Sequence, residues 1–156
     1  MIPALAMLLI LAQRTLFAEG SWASFDRGAA CAAVSRAARI TSDREAQAQA
    51  GFTFDRSGSR HGEFAARLSR PLRAGSTVLL TVGAQPFLLD ARDRFAWSRG
   101  AAQEAAIIAA VRAGTAMRIE ARTPGGGRFV DRYALAGAPG AIDAAAACAA
   151  TMLVNR

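Results

Sequence analysis

The sequence predicts an α+β domain, in which a mainly antiparallel, sandwich-like sheet of about seven strands is combined with two helices, one of them C-terminal. Three observations predict this class. Short segments alternate apolar and polar residues with a period of two, turn residues separate these segments, and two alanine-rich segments favour helix. The chain has 156 residues with 53% hydrophobic content. This is enough for one packed domain and excludes wholesale disorder.

Strands and turns account for nearly all of the first half of the chain. Strands are predicted at 21–25, 31–35, 48–55, 62–69, 76–82 and 85–91, with a shorter one at 94–97. The segment at 62–69 is representative, because Phe64, Ala66 and Leu68 alternate with their neighbours and so predict a half-buried strand. Residues 36–45 are polar and predict a loop.

Two helices are predicted from the alanine-rich segments. The segment Ala101–Ala113 has high helix propensity, with Ser98 as the candidate N-cap and Gly114 just beyond its end. Strands at 116–122 and 128–136 follow, joined by a glycine-rich hairpin loop. The chain then closes with a helix at about 140–152. Its apolar face contains Ile142, Ala145, Ala146, Ala149, Met152 and Leu153.

The N-terminus predicts a secretory signal peptide at residues 1–18, followed by a single β-rich domain at 19–156. Residues 2–12 form an uninterrupted apolar run, which is shorter than the roughly 20 residues that a bilayer-spanning helix needs. The small residue Ala18 is the candidate cleavage point, and no transmembrane span remains after cleavage there. A buried N-terminal helix is the alternative. We therefore expect a periplasmic or secreted protein.

The two cysteines agree with export. Cys31 and Cys148 lie near opposite ends of the expected mature chain. In an oxidising compartment, such a minimal pair predicts one disulfide, while two unpaired buried thiols are the alternative. Two cysteines and the single His61, far apart in sequence, do not have the spacing of a metal site. We expect no metal and no cofactor.

The basic charge is weaker support for an anionic partner than the net charge of +7 suggests. All 19 basic residues are arginine, and a lysine-free, alanine-rich composition is typical of a GC-rich genome. Most arginines are interleaved with acidic residues, whereas nucleic-acid-binding proteins tend to cluster them on one face. The expected partner is an anionic cell-envelope component or another protein, and nucleic acid is not expected.

Asp131 is the most informative single carboxylate. Alternation in 128–136 places it on the apolar face with Phe129, Tyr133 and Leu135, where burying a bare carboxylate is costly. A structural ion pair with a nearby arginine is one interpretation, and a binding-site carboxylate is the other. With the arginines of this hairpin, the candidate binding residues are Asp131, Arg118, Arg122 and Arg132.

The sequence offers little for catalysis. His61 lies in a turn rich in glycine, serine and arginine, and no serine has the surroundings of a G-x-S-x-G nucleophile elbow. We therefore expect no catalytic residues and no enzymatic activity. The alternative is a small periplasmic hydrolase that uses loop or strand carboxylates. This alternative requires at least two of four candidate residues to converge in a cleft. The four candidates are Asp90, Asp93, Asp131 and His61.

The second half of the chain has a distinctive order of segments. STVLLTVGAQPFLLD is followed by the helix AAIIAAVRAG, the strand TAMRIEART and then DRYALAGAPGAIDAAAAC, in which residues 134–137 lead into the terminal helix. This order, with the Trp22 strand followed by Cys31, resembles the invasion-associated locus B family of exported alphaproteobacterial proteins. The family's usual cysteine pair around the central hairpin is missing from residues 85–100. The resemblance implies a β-sandwich-like exported protein without a cofactor, and we expect it to bind envelope or host components.

Overall fold

A computed structural model describes residues 13–42 and 46–151, and in that part of the chain it contains ten strands and two helices. The strands are β1 (Arg14–Glu19), β2 (Trp22–Asp26), β3 (Ala30–Arg36), β4 (Gln49–Asp55), β5 (His61–Arg67), β6 (Val78–Val82), β7 (Gln85–Arg92), β8 (Phe95–Trp97), β9 (Ala116–Arg122) and β10 (Arg128–Ala134). The helices are α1 (Ala101–Ala113) and α2 (Ala138–Ala150). The prediction of a mainly antiparallel domain with two helices, one of them C-terminal, is confirmed.

All ten strands belong to one sheet, in the order β1-β2-β3-β4-β5-β8-β7-β6-β9-β10, and every neighbouring pair is antiparallel. The predicted number of about seven strands is therefore wrong. The strand without a predicted counterpart is β1, which falls mostly within the predicted signal peptide. The sandwich-like arrangement of the sheet stays a prediction.

One face of the sheet builds the core. Alternating residues of the strands, among them Phe52, Phe64 and Leu80, are fully buried there. Both helices contribute to this inner face through Ile107 of α1 and Ile142 of α2, which are also buried. Since strand side chains alternate, the residues between the buried ones lie on the opposite face. We call that surface the outer face.

Hydrogen bonds connect the last strand back to the beginning of the domain. The indole Nε1 of Trp22 donates to the carbonyl oxygen of Ala134 at 2.8 Å. The backbone N–H of Ala38, just beyond β3, donates to the carbonyl oxygen of Arg132 at 2.7 Å. The sheet therefore curves enough for β10 to approach β2 and the end of β3, although neither is its neighbour in strand order.

The start of α1 differs from the prediction. Ser98 does not cap the helix, because α1 begins at Ala101 and Gly100 occupies the N-cap position without a side-chain bond. The Ser98 hydroxyl instead accepts a hydrogen bond from the backbone N–H of Phe64 at 3.1 Å. The hydroxyl that the sequence predicted as a helix cap thus forms its hydrogen bond with the backbone of β5 instead.

The second helix begins at Ala138, slightly before the predicted start, and Gly137 precedes it with a φ of 90°. A Cβ at Gly137 would lie 2.3 Å from the carbonyl oxygen of Glu19, so the entry into α2 depends on glycine. Ile142 and Ala145 of the predicted apolar face are buried. Met152 and Leu153 lie outside the described residues.

The apolar run at 2–12 also lies outside the described residues, and the predicted boundary at Ala18 stays a prediction. The structure does place Ala18 in β1, opposite Ala23 of β2. Phe17 packs against α2, where a Cβ on Gly140 would lie 2.5 Å from its ring. Neither helix of the described residues is long and apolar enough to cross a membrane.

Candidate functional site

A shallow groove of about 370 Å³ lies on the outer face of β3, β4, β5 and β8. We call it the outer-face groove and define it by a floor of Val34, Gly51 and Ala65 and an aromatic wall of Phe95 and Trp97. The floor crosses the strands, because Gly51 is the register partner of both Val34 and Ala65, and Ala65 is the partner of Trp97. With adjacent strands about 4.8 Å apart, the distance from β3 to β8 is about 14 Å.

Packing of the sheet explains why the floor is low. A Cβ at Gly51 would lie 2.3 Å from the carbonyl oxygen of Ala33, so the close approach of β3 and β4 excludes a side chain at this position. Ala65, the next floor residue, contributes only a methyl group and is exposed. The small residues therefore leave a depression beside the larger side chains of β8.

The aromatic wall is exposed to solvent. Phe95 is 54% exposed and Trp97 is 37% exposed, while Ala96 between them is fully buried in the core. Leu88, which is 45% exposed, lies on the same face of the neighbouring β7, two residues from the register partner of Trp97. Exposed apolar side chains that cluster in this way are typical of interaction surfaces.

Two arginines flank the aromatic wall. Phe95 is the register partner of Arg67 on one side and of Arg92 on the other. The Arg67 guanidinium donates from Nε and Nη2 to the carbonyl oxygen of Gln47 at 3.1 and 2.9 Å, which holds it in place. Arg92 is exposed, and its ion pair with the adjacent Asp93 is long at 3.7 Å.

Acidic residues also lie near the groove, and one of them is Asp93, the ion-pair partner of Arg92. Asp90, the register partner of Trp97, forms an ion pair with Arg99 at 3.1 Å. Glu63 lies across the floor, beside Thr53. One row of the sheet therefore has an arginine on each side of Phe95, and the long ion pair with Asp93 compensates the charge of Arg92 only in part.

The predicted binding residues lie in β9 and β10, away from the groove, and only some of them come together. Arg118 and Arg132 are register partners on the outer face, and Arg122 lies further along β9. Glu120 approaches the Arg118 guanidinium at 3.6 Å, so part of this positive charge is compensated. Asp131 does not join them, because its side chain is buried on the inner face.

Asp131 and Tyr133 form a buried polar pair on β10. The Asp131 carboxylate accepts a hydrogen bond from the backbone N–H of Ser69 at 2.9 Å. Among the described residues, the partner of Asp131 is therefore this backbone N–H and not the arginine that one of the two interpretations of Asp131 required. The Tyr133 hydroxyl is buried without a hydrogen-bond partner in the described chain. Burial, followed by the negative charge of Asp131, raises the pKa of Tyr133 far above its usual value.

The residues considered for hydrolysis lie in different surroundings. Asp90 is engaged by Arg99, and Asp93 lies in the turn after β7 with a φ of 59°. The ring of His61 packs edge-on against Phe54, with 5.8 Å between centroids. Asp93 lines a pocket in which Asp90, Asp131 and His61 take no part. The arrangement therefore provides no pair of these groups in that pocket.

The predicted disulfide between Cys31 and Cys148 is confirmed, and it links β3 to α2. Arg56 reinforces this junction, because its Nη1 donates to the carbonyl oxygens of Cys148 and Thr151 at 2.6 and 2.7 Å. Its Nη2 also lies 3.0 Å from the carboxylate of Asp26. The pKa of Asp26 is lowered, first by a hydrogen bond from the Gly28 N–H and then by Arg56.

In comparisons with known proteins, no family model, no curated protein sequence and no solved structure matches this chain. The resemblance to the invasion-associated locus B family therefore stays a prediction from the sequence. The proposals below depend on the described residues and their geometry.

Sequence reasoning did not identify the outer-face groove. The available signal was the pattern Phe95-Ala96-Trp97, in which period-two alternation puts both aromatic residues on one face and alanine on the other. Large aromatic residues are normally assigned to the core, so the pattern alone favours the opposite orientation. Only the burial of Ala96 shows that the aromatic face is turned outward.

Proposed function

We propose that this protein is an exported, non-catalytic binding protein that holds an anionic component of the cell envelope in the outer-face groove. The main support is the exposed aromatic wall of Phe95 and Trp97, with Arg67 and Arg92 on either side of Phe95. Exposed aromatic side chains beside arginine are typical of binding surfaces, since both residue types are enriched among the residues that dominate binding energy.

Export is supported by two independent features. The apolar run at 2–12 has the length of a signal-peptide core, and the Cys31–Cys148 disulfide is typical of proteins that fold in an oxidising compartment. The resemblance to the invasion-associated locus B family implies the same location. The net charge of +7 favours association with an anionic envelope.

Intact-mass spectrometry on compartment fractions from a Gram-negative host tests the export part of the proposal. We expect a periplasmic species that lacks the apolar run and whose mass increases by about two units on reduction, because reduction of one disulfide adds two hydrogens. A full-length cytosolic species with two free thiols would contradict export.

Co-sedimentation with isolated envelope material tests the binding part. We expect retention that weakens as salt is raised, since salt screens exposed charges. The variant Trp97→Ala should reduce retention, whereas Ile40→Ala should not, because Ile40 is equally apolar and 63% exposed but does not line the groove. Equal retention on a neutral polysaccharide matrix, or equal loss in both variants, would overturn the proposed binding function.

A further inference from the structure

We propose that the ligand of the outer-face groove is an acidic glycan, meaning a chain of sugar rings that bear carboxylates. This inference depends on the proposed function and specifies its ligand class. The observation behind it is that a positively charged group lies on each side of an exposed aromatic ring. Arg67, Phe95 and Arg92 are successive register partners across β5, β8 and β7.

The spacing of side chains within the sheet allows the three residues of this row to contact the same ligand. Side chains that are directly opposite on antiparallel strands have Cβ atoms about 4.5–5.5 Å apart. A sugar ring that lies with its C–H face on Phe95 would therefore have an arginine side chain on the neighbouring strand to each side. Arginine binds carboxylates through paired N–H groups, and Arg67 uses only two of its N–H directions on Gln47. A carboxylate on the stacked sugar, or on the next one, would be within reach.

The remainder of the groove suits the other parts of a glycan. Trp97, one row away on the same strand, provides a second flat surface beside Ala65. Thr53, Gln49 and Glu63 also line the groove and offer hydroxyl, amide and carboxylate groups to sugar hydroxyls. The groove crosses the strands from β3 to β8 for about 14 Å, which suits a short extended oligomer better than a single sugar.

The direction of the groove favours a glycan over an extended peptide. A peptide usually binds a sheet by adding a strand at its edge, where unpaired backbone groups supply hydrogen bonds. The floor residues Gly51 and Ala65 lie in β4 and β5, and both strands have hydrogen-bonded neighbours on each side. A ligand lying across them meets side chains only, so aromatic stacking and arginine pairing must supply the recognition.

The protein contains its own fluorescent reporter for this site. Of its two tryptophans, Trp22 is only 1% exposed, whereas Trp97 is 37% exposed and lies on the groove wall. Quenching by acrylamide therefore reports mainly on Trp97. A ligand that covers the groove should protect Trp97 from the quencher, while a ligand bound at β9 and β10 should leave quenching unchanged.

The test is a fluorescence titration of the full domain with hexagalacturonate, with neutral maltohexaose and acidic hexaglutamate as comparisons. We expect hexagalacturonate to protect Trp97 and to bind at least tenfold more tightly than either comparison ligand. Equal binding of maltohexaose would overturn the role of the arginines. Equal binding of hexaglutamate would overturn the glycan assignment, and tighter binding of a short oligothymidylate would assign the groove to nucleic acid instead.

Two variants and one matched control locate the binding. Phe95→Ala and Arg92→Gln should each weaken hexagalacturonate binding about tenfold, because each removes one element of the row. Arg132→Gln removes the same charge from an exposed position on β10 and should change affinity less than twofold. All three positions are exposed, so the midpoint of thermal unfolding should be the same in each variant as in the wild type. An equal loss with Arg132→Gln would overturn the inference.

If envelope retention remains sensitive to Trp97→Ala while hexagalacturonate does not bind, the glycan assignment fails and the proposed function stands.

Discussion

Reduction of the disulfide is the perturbation whose size follows most directly from the structure. The Cys31–Cys148 bridge closes a loop with a sequence separation of 117 residues. In the chain-entropy description, the restriction that such a loop places on the unfolded chain corresponds to about 5 kcal/mol of stability. Domains of this size have total unfolding free energies of about 5–15 kcal/mol, so the reduced protein should be marginally stable.

Urea denaturation of the oxidised and reduced wild-type protein measures this difference without changing a side chain. Fluorescence and circular dichroism should follow the same transition, and the midpoint should fall strongly on reduction. The double variant Cys31→Ala/Cys148→Ala is the matched control, because its stability should not respond to reductant. Both sulfur atoms belong to buried residues, so the variant also shows the smaller effect of their packing.

A loss of less than about 1 kcal/mol on reduction would refute this reasoning. It would mean that contacts other than the bridge hold α2 against the sheet in both states. The contacts of Arg56 with the carbonyl oxygens of Cys148 and Thr151 are the strongest candidates for that role. Arg56→Gln in the reduced protein would then cause a larger loss than in the oxidised protein.

Three further predictions concern single positions. Gly137→Ala should lower the free energy of unfolding by at least 2 kcal/mol more than Gly28→Ala. Both glycines have a φ near 90°, but only at Gly137 would the new Cβ meet a backbone carbonyl, so equal losses in denaturant titrations would contradict the steric reason. Tyr133→Phe should leave the thermal midpoint unchanged or raise it, because it removes a buried hydroxyl without a partner; a clear fall would show that the hydroxyl is bonded. Hydrogen bonds from Arg60 lower the pKa of Asp55 to about 2, below its usual 3.8. The stabilisation from Asp55 is therefore present above about pH 4 and lost as the pH falls towards 2, so the difference between wild type and Asp55→Asn should shrink over that range in urea titrations at each pH.

Local pattern was sufficient for most of the strands and for both helices. The alternation of Phe64, Ala66 and Leu68 predicted β5, and the structure buries all three. The boundaries depended on contacts that local pattern does not contain. Ser98 is a good N-cap by type, but its hydroxyl bonds the backbone of β5 because β8 places it there. The position of β1 in the sheet was missed because its residues follow directly on the apolar run.

The candidate site was less predictable than the fold. The arginines and the carboxylate of β9 and β10 were predicted as binding residues because they are close in sequence. Asp131 is instead turned to the core, where Ser69 provides its hydrogen bond. The outer-face groove is assembled from four strands, and one row across it joins residues as distant in sequence as Val34 and Trp97.

The sequence by itself determined the class of the domain, the helices, the pairing partner available to each cysteine and the excess of positive charge. Those properties depend on composition and on neighbours within a few residues, which the printed chain contains. The tertiary structure alone decided which face of β8 is buried, and therefore that Phe95 and Trp97 lie in solvent. The alternation of a strand defines two faces, but only the strands and helices packed against it determine which face is covered.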